Sequence, residues 1–536
     1  MDCRISTETM RNKRNGVTYV YESVGYWDKQ KKQARNKRKC IGKLDPATWE
    51  IIPSPKVDLA DLISSIKKRG PKPVLESKRL FYGATYLFDA IGERLGVTRD
   101  LQTCFPDSYR QILSLAYYLV LEDRNPLSRF PRWALTHAHP YGKVIPSQRS
   151  SEILGSIDEA AKLKFLQLQG QRRVENEFLA YDITSISSYS TSLKQVKYGL
   201  NKENDSLPQI NLALLFGESS RLPVYYRKLP GNITDVKTIR NLLADINFLN
   251  LDKVQLVMDR GFYSEDNINA LFRQHYKFLI STRTSLLFVR RKLDEVCSSM
   301  VSRRHYTSKY GLYFKSFMLD WGYSETKKRS GEVINDNRRI YLHLFYNDQR
   351  ATDDKIAFNK LLDRLEYEMN SGNRIPEHEK LYTKYYDIRE TSVRGVVITP
   401  KQEAIDAVEK YYGYFALLSN GIKDPLEALE IYRSKDLIEK AFGNLKERLN
   451  MRRTSVSSEE NLEGKLFVQF VALIYLSYIE KAMSDHNLFK YYTLQELLDE
   501  LDVIETFEQQ GHKPRIGEIT QKQAKLYGFL GVDCPA

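Results

Sequence analysis

"EFLAYDITSIS" (177–187) begins a change of pattern that decides the fold. Apolar residues alternate through it, as they do through "QINLALLFG" (209–217) and "LPVYYRKL" (222–229). The last two are joined by "ESSR", which reads as a hairpin turn. Next come "TDVKTIRNLLADINFL" as a helix, "KVQLVMDRGFYS" as a buried strand, "SEDNINALFRQHY" as a helix capped by Ser264, and "YKFLIST" as a further strand. Three strands, helix, strand, helix, strand predicts an α/β domain starting near residue 175.

Working outward, residues 283–408 interrupt that domain. The interruption reads as strands ("GLYFKSFMLDW", "RIYLHLFYN"), a charged helix ("KIAFNKLLDRLEYEM") and further strands ("YTKYYDI", "RGVVIT"). The domain resumes with the strand "GYFALLSN" (413–420) and one helix, "EIYRSKDLIEKAFGNLKERLNMRR" (430–453). A helical C-terminal region, 483–536, closes the chain. Ahead of the domain, 80–170 shows helical spacing in "YLFDAIGERLGV", "SYRQILSLAYYLVLED" and "IDEAAKLKFLQLQ". Residues 17–44 read as two strands joined by the basic turn "DKQKKQARNK", with "GYW" (25–27) packing the hairpin. Pro53, Pro55 and "RGPKP" (69–73) flank a short helix and mark a linker.

The 536 residues are too many for one core and predict several units. Lys and Arg outnumber Asp and Glu by 82 to 68, a net charge of +14, which points to an anionic partner. A membrane is disfavoured because no apolar run approaches the roughly 18 residues of a spanning helix, and the N-terminus lacks a signal-peptide pattern; a cytoplasmic protein is expected. Five scattered cysteines form no CxxC pair, and His137 and His139 read as structural. Any metal ligands should therefore be carboxylates.

Two acids interrupt apolar strands, Asp182 in "LAYDITSI" and Asp259 in "VQLVMDRGFY". A lone carboxylate buried in a sheet is costly, so each should lie at a strand end or face a partner. Taken singly, each fits a turn or a helix cap equally well. Together with Glu439 they form a set of three carboxylates suited to Mg²⁺ or Mn²⁺, and two such ions can activate an attacking oxygen and stabilise a leaving one at a phosphodiester. On a regular helix Tyr432, Lys435, Glu439 and Lys446 fall within an arc of about 60°, while Leu437, Ile438, Ala441, Leu445 and Leu449 form an apolar stripe. A solvated salt-bridge face is the plainer reading of that helix alone. Arg260, beside Asp259, could pair with a carboxylate or with a phosphate. "GNITDV" (231–236) reads as a loop with Asp235 near a helix N-terminus.

The order of Asp182, then "DRGF" around Asp259, an insertion, and Tyr432, Lys435, Glu439 and Lys446 resembles the DDE transposases of bacterial insertion sequences, the cut-and-paste group with a Y-R-E-K signature. The resemblance runs over about 175–480 and is strengthened by "YDITS" and "LPGNITDVKT". It implies an RNase H-like core, a catalytic triad of Asp182, Asp259 and Glu439 holding two Mg²⁺ (or Mn²⁺) ions, and a synaptic homodimer. Such an enzyme binds the terminal inverted repeats of its element in double-stranded DNA, cuts the ends and joins them to target DNA. It also implies phosphate contacts from Tyr432, Lys435 and Lys446. One departure is plain: the signature's arginine falls on Lys435, and Arg433 lies two positions earlier and could replace it. The helical unit at 75–172 and the basic hairpin unit at 1–70 are expected to bind the element ends. The rival reading is a catalytically inactive, sequence-specific DNA-binding protein derived from a transposase; a structure-selective nuclease on the same fold is a third.

Overall fold

Tyr19, Tyr21 and Ser23 alternate with Val20, Glu22 and Val24 along the central part of the first sheet, a stretch rich in strand-favouring residues. The computed structural model describes residues 5–28, 33–54, 77–173, 177–190, 192–199, 206–251, 254–326, 331–391, 395–454, 456, 458–509 and 513–536. The chain divides into two units, Met1–Ser77 and Lys78–Ala536.

The first unit is a four-stranded antiparallel sheet in the order β1 (Ile5–Arg11), β2 (Thr18–Asp28), β3 (Gln33–Leu44), β4 (Ile51–Pro53). Gly16 turns β1 into β2 at φ +70°, a conformation that favours glycine. Two strands were expected here, with a long basic turn. Instead β2 and β3 stay paired as far as Asp28↔Gln33, so most of the basic run is strand. Arg35, Arg38 and Lys39 are all exposed, Arg35 and Lys39 on one face and Arg38 on the other, and charged side chains leave the ladder hydrogen bonds of a strand intact. The turn itself, the Tyr26 and Trp27 side chains, and the linker over 55–76 lie outside the described residues. Val20 and Ser23 are buried, but most side chains described in this unit are exposed or half-buried.

The second unit takes in β5 (Ser77–Phe81) from Lys78 onward and then runs through helices Gly83–Arg94, Val97–Cys104, Tyr109–Leu121, Ser147–Gly155 and Glu159–Gln171. β6 (Phe178–Ser188), β7 (Gln209–Gly217) and β8 (Pro223–Pro230) follow as an antiparallel meander. Helix Asp235–Phe248, β9 (Gln255–Met258), helix Glu265–Arg273 and β10 (Lys277–Thr282) complete the expected order. β6, β9 and β10 run parallel side by side, giving β8-β7-β6-β9-β10.

The interruption is more intimate with this sheet than an inserted domain. Helix Leu287–Met300, which the sequence reading missed, leads into β11 (Tyr306–Thr307), β12 (Leu312–Thr326) and β13 (Val333–Tyr346). Beyond helix Asp348–Asn370, helix Glu379–Tyr385, the hairpin β14 (Tyr386–Thr391) and β15 (Gly395–Pro400), and helix Gln402–Glu409, the chain returns as β16 (Tyr414–Ser419). β16 is apolar up to its last residue, Ser419, and pairs with β10 on one side and β13 on the other. The long β12–β13 hairpin therefore continues the main sheet, and only 348–409 builds a separate small core around Leu365, Tyr382 and Tyr386.

The expected single helix over 430–453 is broken. It forms Pro425–Arg433, Asp436–Gly443 and a π-turn, Asn444–Arg448, before β17 (Arg453–Thr454) pairs with β6. At the first break Lys435, Leu437 and Ile438 donate to carbonyls three residues back, and the Ser434 hydroxyl donates to Ile431 O at 2.6 Å. A serine satisfied by its own preceding turn competes with continuation of the helix.

Among the described residues one helix, Glu459–Asp485, is long and apolar enough to cross a membrane, contrary to the reading of the sequence. Its most apolar stretch is 78% buried inside the protein. Phe467 meets Phe105 and Phe165, Tyr475 meets Phe88 and Tyr117, and Phe470 meets Tyr226 of β8, so this helix joins the N-terminal helices to the sheet. A Cβ on Gly464 would lie 2.0 Å from Leu154 O, so the close approach to helix Ser147–Gly155 requires glycine. Helix Leu494–Asp502 packs on helix Gly83–Arg94, and β18 (Glu505–Gln509) joins β5 and β19 (Arg515–Ile516) in a small sheet. The boundary expected near 172 thus separates kinds of element, while the cores on its two sides are continuous. His137 accepts this structural setting: it stacks on Trp133 and bonds Asp502 at 3.0 Å, and His139 bonds Ser114 at 2.9 Å.

Candidate active site

The parallel register fixes the first two acids. Tyr181 of β6 pairs with Met258, the last residue of β9, so Asp182 and Asp259 follow at the same level on neighbouring strands. Asp182 was expected at a strand end or facing a partner; it lies within β6, opposite Leu214 of β7, where its parallel neighbour stops, and its charge acts on Lys435. That is the crevice at the carboxyl ends of parallel strands where α/β sheets expose groups to ligands.

The "DRGF" turn divides its roles residue by residue. Phe262 is buried against Tyr181 at 5.1 Å and anchors the turn. A Cβ on Gly261 would meet Asp235 Oδ2 at 3.0 Å, so glycine lets the start of helix Asp235–Phe248 approach. The Arg260 side chain is exposed, while its N–H donates to Asp259 Oδ1 at 2.8 Å. Asp182 Oδ1 accepts the Ile183 N–H at 2.8 Å in the same manner. Asp235 itself begins its helix, as the loop reading expected.

The break after Arg433 brings the third acid. Lys435 turns inward there, with its side chain only 8% exposed, and its Nζ lies 3.0 Å from Glu439 Oε1 and 3.8 Å from Asp259 Oδ2. Glu439 sits in the first turn of helix Asp436–Gly443, whose Ile438, Ala441 and Phe442 are buried beneath it. Tyr432, at the end of the preceding helix, donates its hydroxyl to Asp259 Oδ1 at 2.9 Å. Asp182, Asp259, Lys435, Glu439, Lys446 and Glu447 line one open cleft of about 530 Å³.

Burial works against the charge on Asp259, but the Lys435 ammonium, the Arg260 N–H and the Tyr432 hydroxyl outweigh it and hold the carboxyl below the usual range. Burial likewise works against the Lys435 ammonium, yet Asp182, Glu439 and Asp259 raise its pKa above that of an ordinary lysine. Tyr432 is pushed up to about 12, first by burial and then by the Asp259 charge, so it is a permanent donor near neutrality.

Asp259 and Tyr432 also wall a second cleft of about 460 Å³, into which Arg260, Arg283 and Arg350 bring three cations. Arg433 belongs elsewhere: its guanidinium lies 5.0 Å from the Tyr310 ring centre, and it does not line the carboxylate cleft. It is therefore not a positional replacement for Lys435. Glu447, Arg283 and Arg350 were missed from the sequence. Glu447 looks like one more charge on an amphipathic helix until the π-turn is known, whereas Arg283, just past the end of β10, could have been found by asking which residues follow each parallel strand.

Three carboxylates are hard oxygen donors of the kind Mg²⁺ and Mn²⁺ select, so the donor set fits a divalent cation. The cage expected from the sequence is not ready-made, however. Among the described residues no three acids, histidines or cysteines are gathered closely enough to hold a metal as they stand, and the Lys435 ammonium reaches two of the three carboxylates.

A family model described as the transposase DDE domain matches residues 175–475, more than half of the chain. Among solved structures, a piggyBac transposase synaptic complex with hairpin DNA, determined by cryo-electron microscopy, is similar at 10% identity and a TM-score of 0.36. The match spans 78% of this chain and 76% of that one. No curated protein matches the chain.

Proposed function

The chain belongs to the transposase DDE domain family, and we propose that it is the DNA transposase of a bacterial insertion sequence. On this reading it recognises the terminal inverted repeats of its element, cleaves the ends and transfers them into target DNA. The observation that carries it is the level placement of Asp182 and Asp259 on adjacent parallel strands, with Glu439 drawn to the same cleft through Lys435. The order β8-β7-β6-β9-β10, with β6, β9 and β10 parallel, supports an RNase H-like core.

Asp182, Asp259 and Glu439 would hold two Mg²⁺ or Mn²⁺ ions. Bound there, such ions supply Lewis-acid activation of a water or 3′-hydroxyl and stabilisation of the leaving oxygen. Tyr432 fixes the orientation of Asp259 by donating to one of its oxygens. Lys446 and Lys435, from the cleft that also holds the acids, neutralise the phosphates flanking the scissile bond. Lysine in place of the signature's arginine makes this a point-charge contact without a bidentate fork. Arg260, Arg283 and Arg350, in the adjoining cleft, offer a continuation of the phosphate path.

The basic sheet of the first unit is the natural reader of the element ends, and a homodimer would bring two ends together. A cytoplasmic, nucleoid-associated location follows from DNA as the partner. An inactive DNA-binding descendant would have no use for three acids in one cleft. The test is to sequence the DNA flanking the gene for inverted repeats and incubate the protein with a duplex carrying them. Mg²⁺-dependent breaks at the repeat boundary are expected; binding with no breaks under any divalent ion would favour the inactive descendant.

A further inference from the structure

Lys435 is unusual among the cations of the cleft. Its side chain is almost wholly buried, while the carboxylates it touches are partly open, Asp259 at 44% and Glu439 at 58% side-chain exposure. Of the five residues flanking the helix break, 433 to 437, it alone is buried, because the three-residue bonds at 435, 437 and 438 turn it towards the sheet. The consequence is an ammonium held by Glu439 Oε1 at 3.0 Å and Asp259 Oδ2 at 3.8 Å, with Asp182 adding its charge.

Three carboxylates lining one cleft repel one another, and a cation among them offsets that repulsion. A divalent ion would need the same oxygens at close range, roughly 2.0–2.1 Å for Mg²⁺. It could not share them comfortably with an ammonium, since two cations bound to the same carboxylates repel. Lysine suits a temporary occupant: it is a compact charge on a flexible four-carbon stem, without the planar fork that fixes arginine to a carboxylate.

We infer that Lys435 is the resident counter-ion of the carboxylate cluster, and that divalent cations bind by displacing its ammonium from Glu439 and Asp259, which frees it for a phosphate of bound DNA. The inference rests on the metal-binding reading of the three acids given above. It adds an order of events: the cation on the helix break becomes available to DNA only as the acids are taken by metal. It also assigns a reason for burying a lysine at this position.

The test uses the full chain without DNA and Mn²⁺ alone as the probe, titrated by calorimetry and by thermal unfolding. Lys435→Met keeps the stem and removes the charge; Lys435→Gln does so with a polar end and serves if the methionine variant does not fold. Both are expected to bind Mn²⁺ about tenfold more tightly than the wild type, because a competing positive charge is gone. They should also unfold at lower temperature without metal and gain more from Mn²⁺ than the wild type gains. Equal or weaker Mn²⁺ binding by the folded variants, with binding lost in Glu439→Gln, would overturn the inference and leave the metal site standing. Wild-type binding absent, or unchanged in Glu439→Gln, would instead overturn the metal site and the inference with it.

Discussion

The Tyr432 hydroxyl donates to Asp259 Oδ1 at 2.9 Å, joining the end of helix Pro425–Arg433 to the end of β9. Because Tyr432 titrates only near 12, the bond runs in one direction at any working pH. Tyr432→Phe should therefore remove one of the two donors to Asp259 Oδ1, leaving the Arg260 N–H and the packed ring. Loss of an orienting partner to a ligand carboxylate typically costs about 10- to 100-fold in metal affinity or activity, and a drop of that order in cleavage rate is expected, with stability changed by about 1 kcal/mol or less. Single-turnover cleavage and Mn²⁺ titration of the variant check this; wild-type values in both would reduce the contact to packing.

Lys446 and Arg260 line the two clefts that meet at Asp259. If both neutralise phosphates, Lys446→Ala and Arg260→Ala should each weaken DNA binding and lower the slope of log affinity against log salt by about 1. Neither should unfold the protein, since single exposed or half-exposed charges contribute little to stability. Fluorescence anisotropy at four or five salt concentrations measures the slope, and an unchanged slope in either variant removes that residue from the DNA path.

The helices between 83 and 171 share their core with Glu459–Asp485, so they cannot be detached as a DNA-binding fragment. The first unit can be removed. A chain of residues 78–536 is expected to stay folded, with the wild-type thermal transition of the larger unit, and to lose selective binding of element ends while keeping salt-sensitive binding to any duplex. Competition between end-bearing and unrelated DNA tests the division, and full retention of selectivity would move end recognition into the larger unit.

How far the sequence carried the fold depends on how local each signal was. β6 to β10 and their two helices were legible because alternation and helical spacing are local; Asp182 and Asp259 stood out as acids within apolar strands, and Glu439 as an acid among the cations of its helix. The β12–β13 hairpin was legible as strands, yet its membership of the main sheet depends on β16 pairing both ways, which no local pattern encodes. Helix Leu287–Met300 was hidden by its charged "RRKLDE" segment. The breaks at Ser434 and at the π-turn escaped because both segments keep helical spacing, and the burial of Lys435 follows from the first break. Helix Glu459–Asp485 went unread, because polar residues punctuate its apolar run; one of them, Gln469, is buried and donates to Leu449 O at 2.6 Å.

His343 of β13 is fully buried, with Nε2 donating to Ile422 O at 3.1 Å, which leaves Nδ1 to accept from the Ser316 hydroxyl. Burial pushes its pKa down to about 4, despite opposing help from the Ile422 carbonyl and Asp424. A histidine pKa lowered on folding means that the unfolded chain takes up the proton first, near pH 6.5. The stability it supports is complete above that pH and is lost progressively as pH falls through the window from about 6.5 to 4. Urea midpoints should fall across that window in the wild type and fall less in His343→Gln; parallel pH curves for the two proteins would assign the acid sensitivity elsewhere.

The chemistry proposed for the cleft depends on the charge of its three acids, and amides keep their shape while removing it. The decisive measurement is Mg²⁺-dependent cleavage of a duplex bearing the element's own end by the wild type, Asp182→Asn, Asp259→Asn and Glu439→Gln, with end binding followed in parallel. Cleavage by the wild type alone, and end binding by all four, is the expected pattern. Robust cleavage by any one of the three variants would contradict a shared carboxylate site for this chemistry.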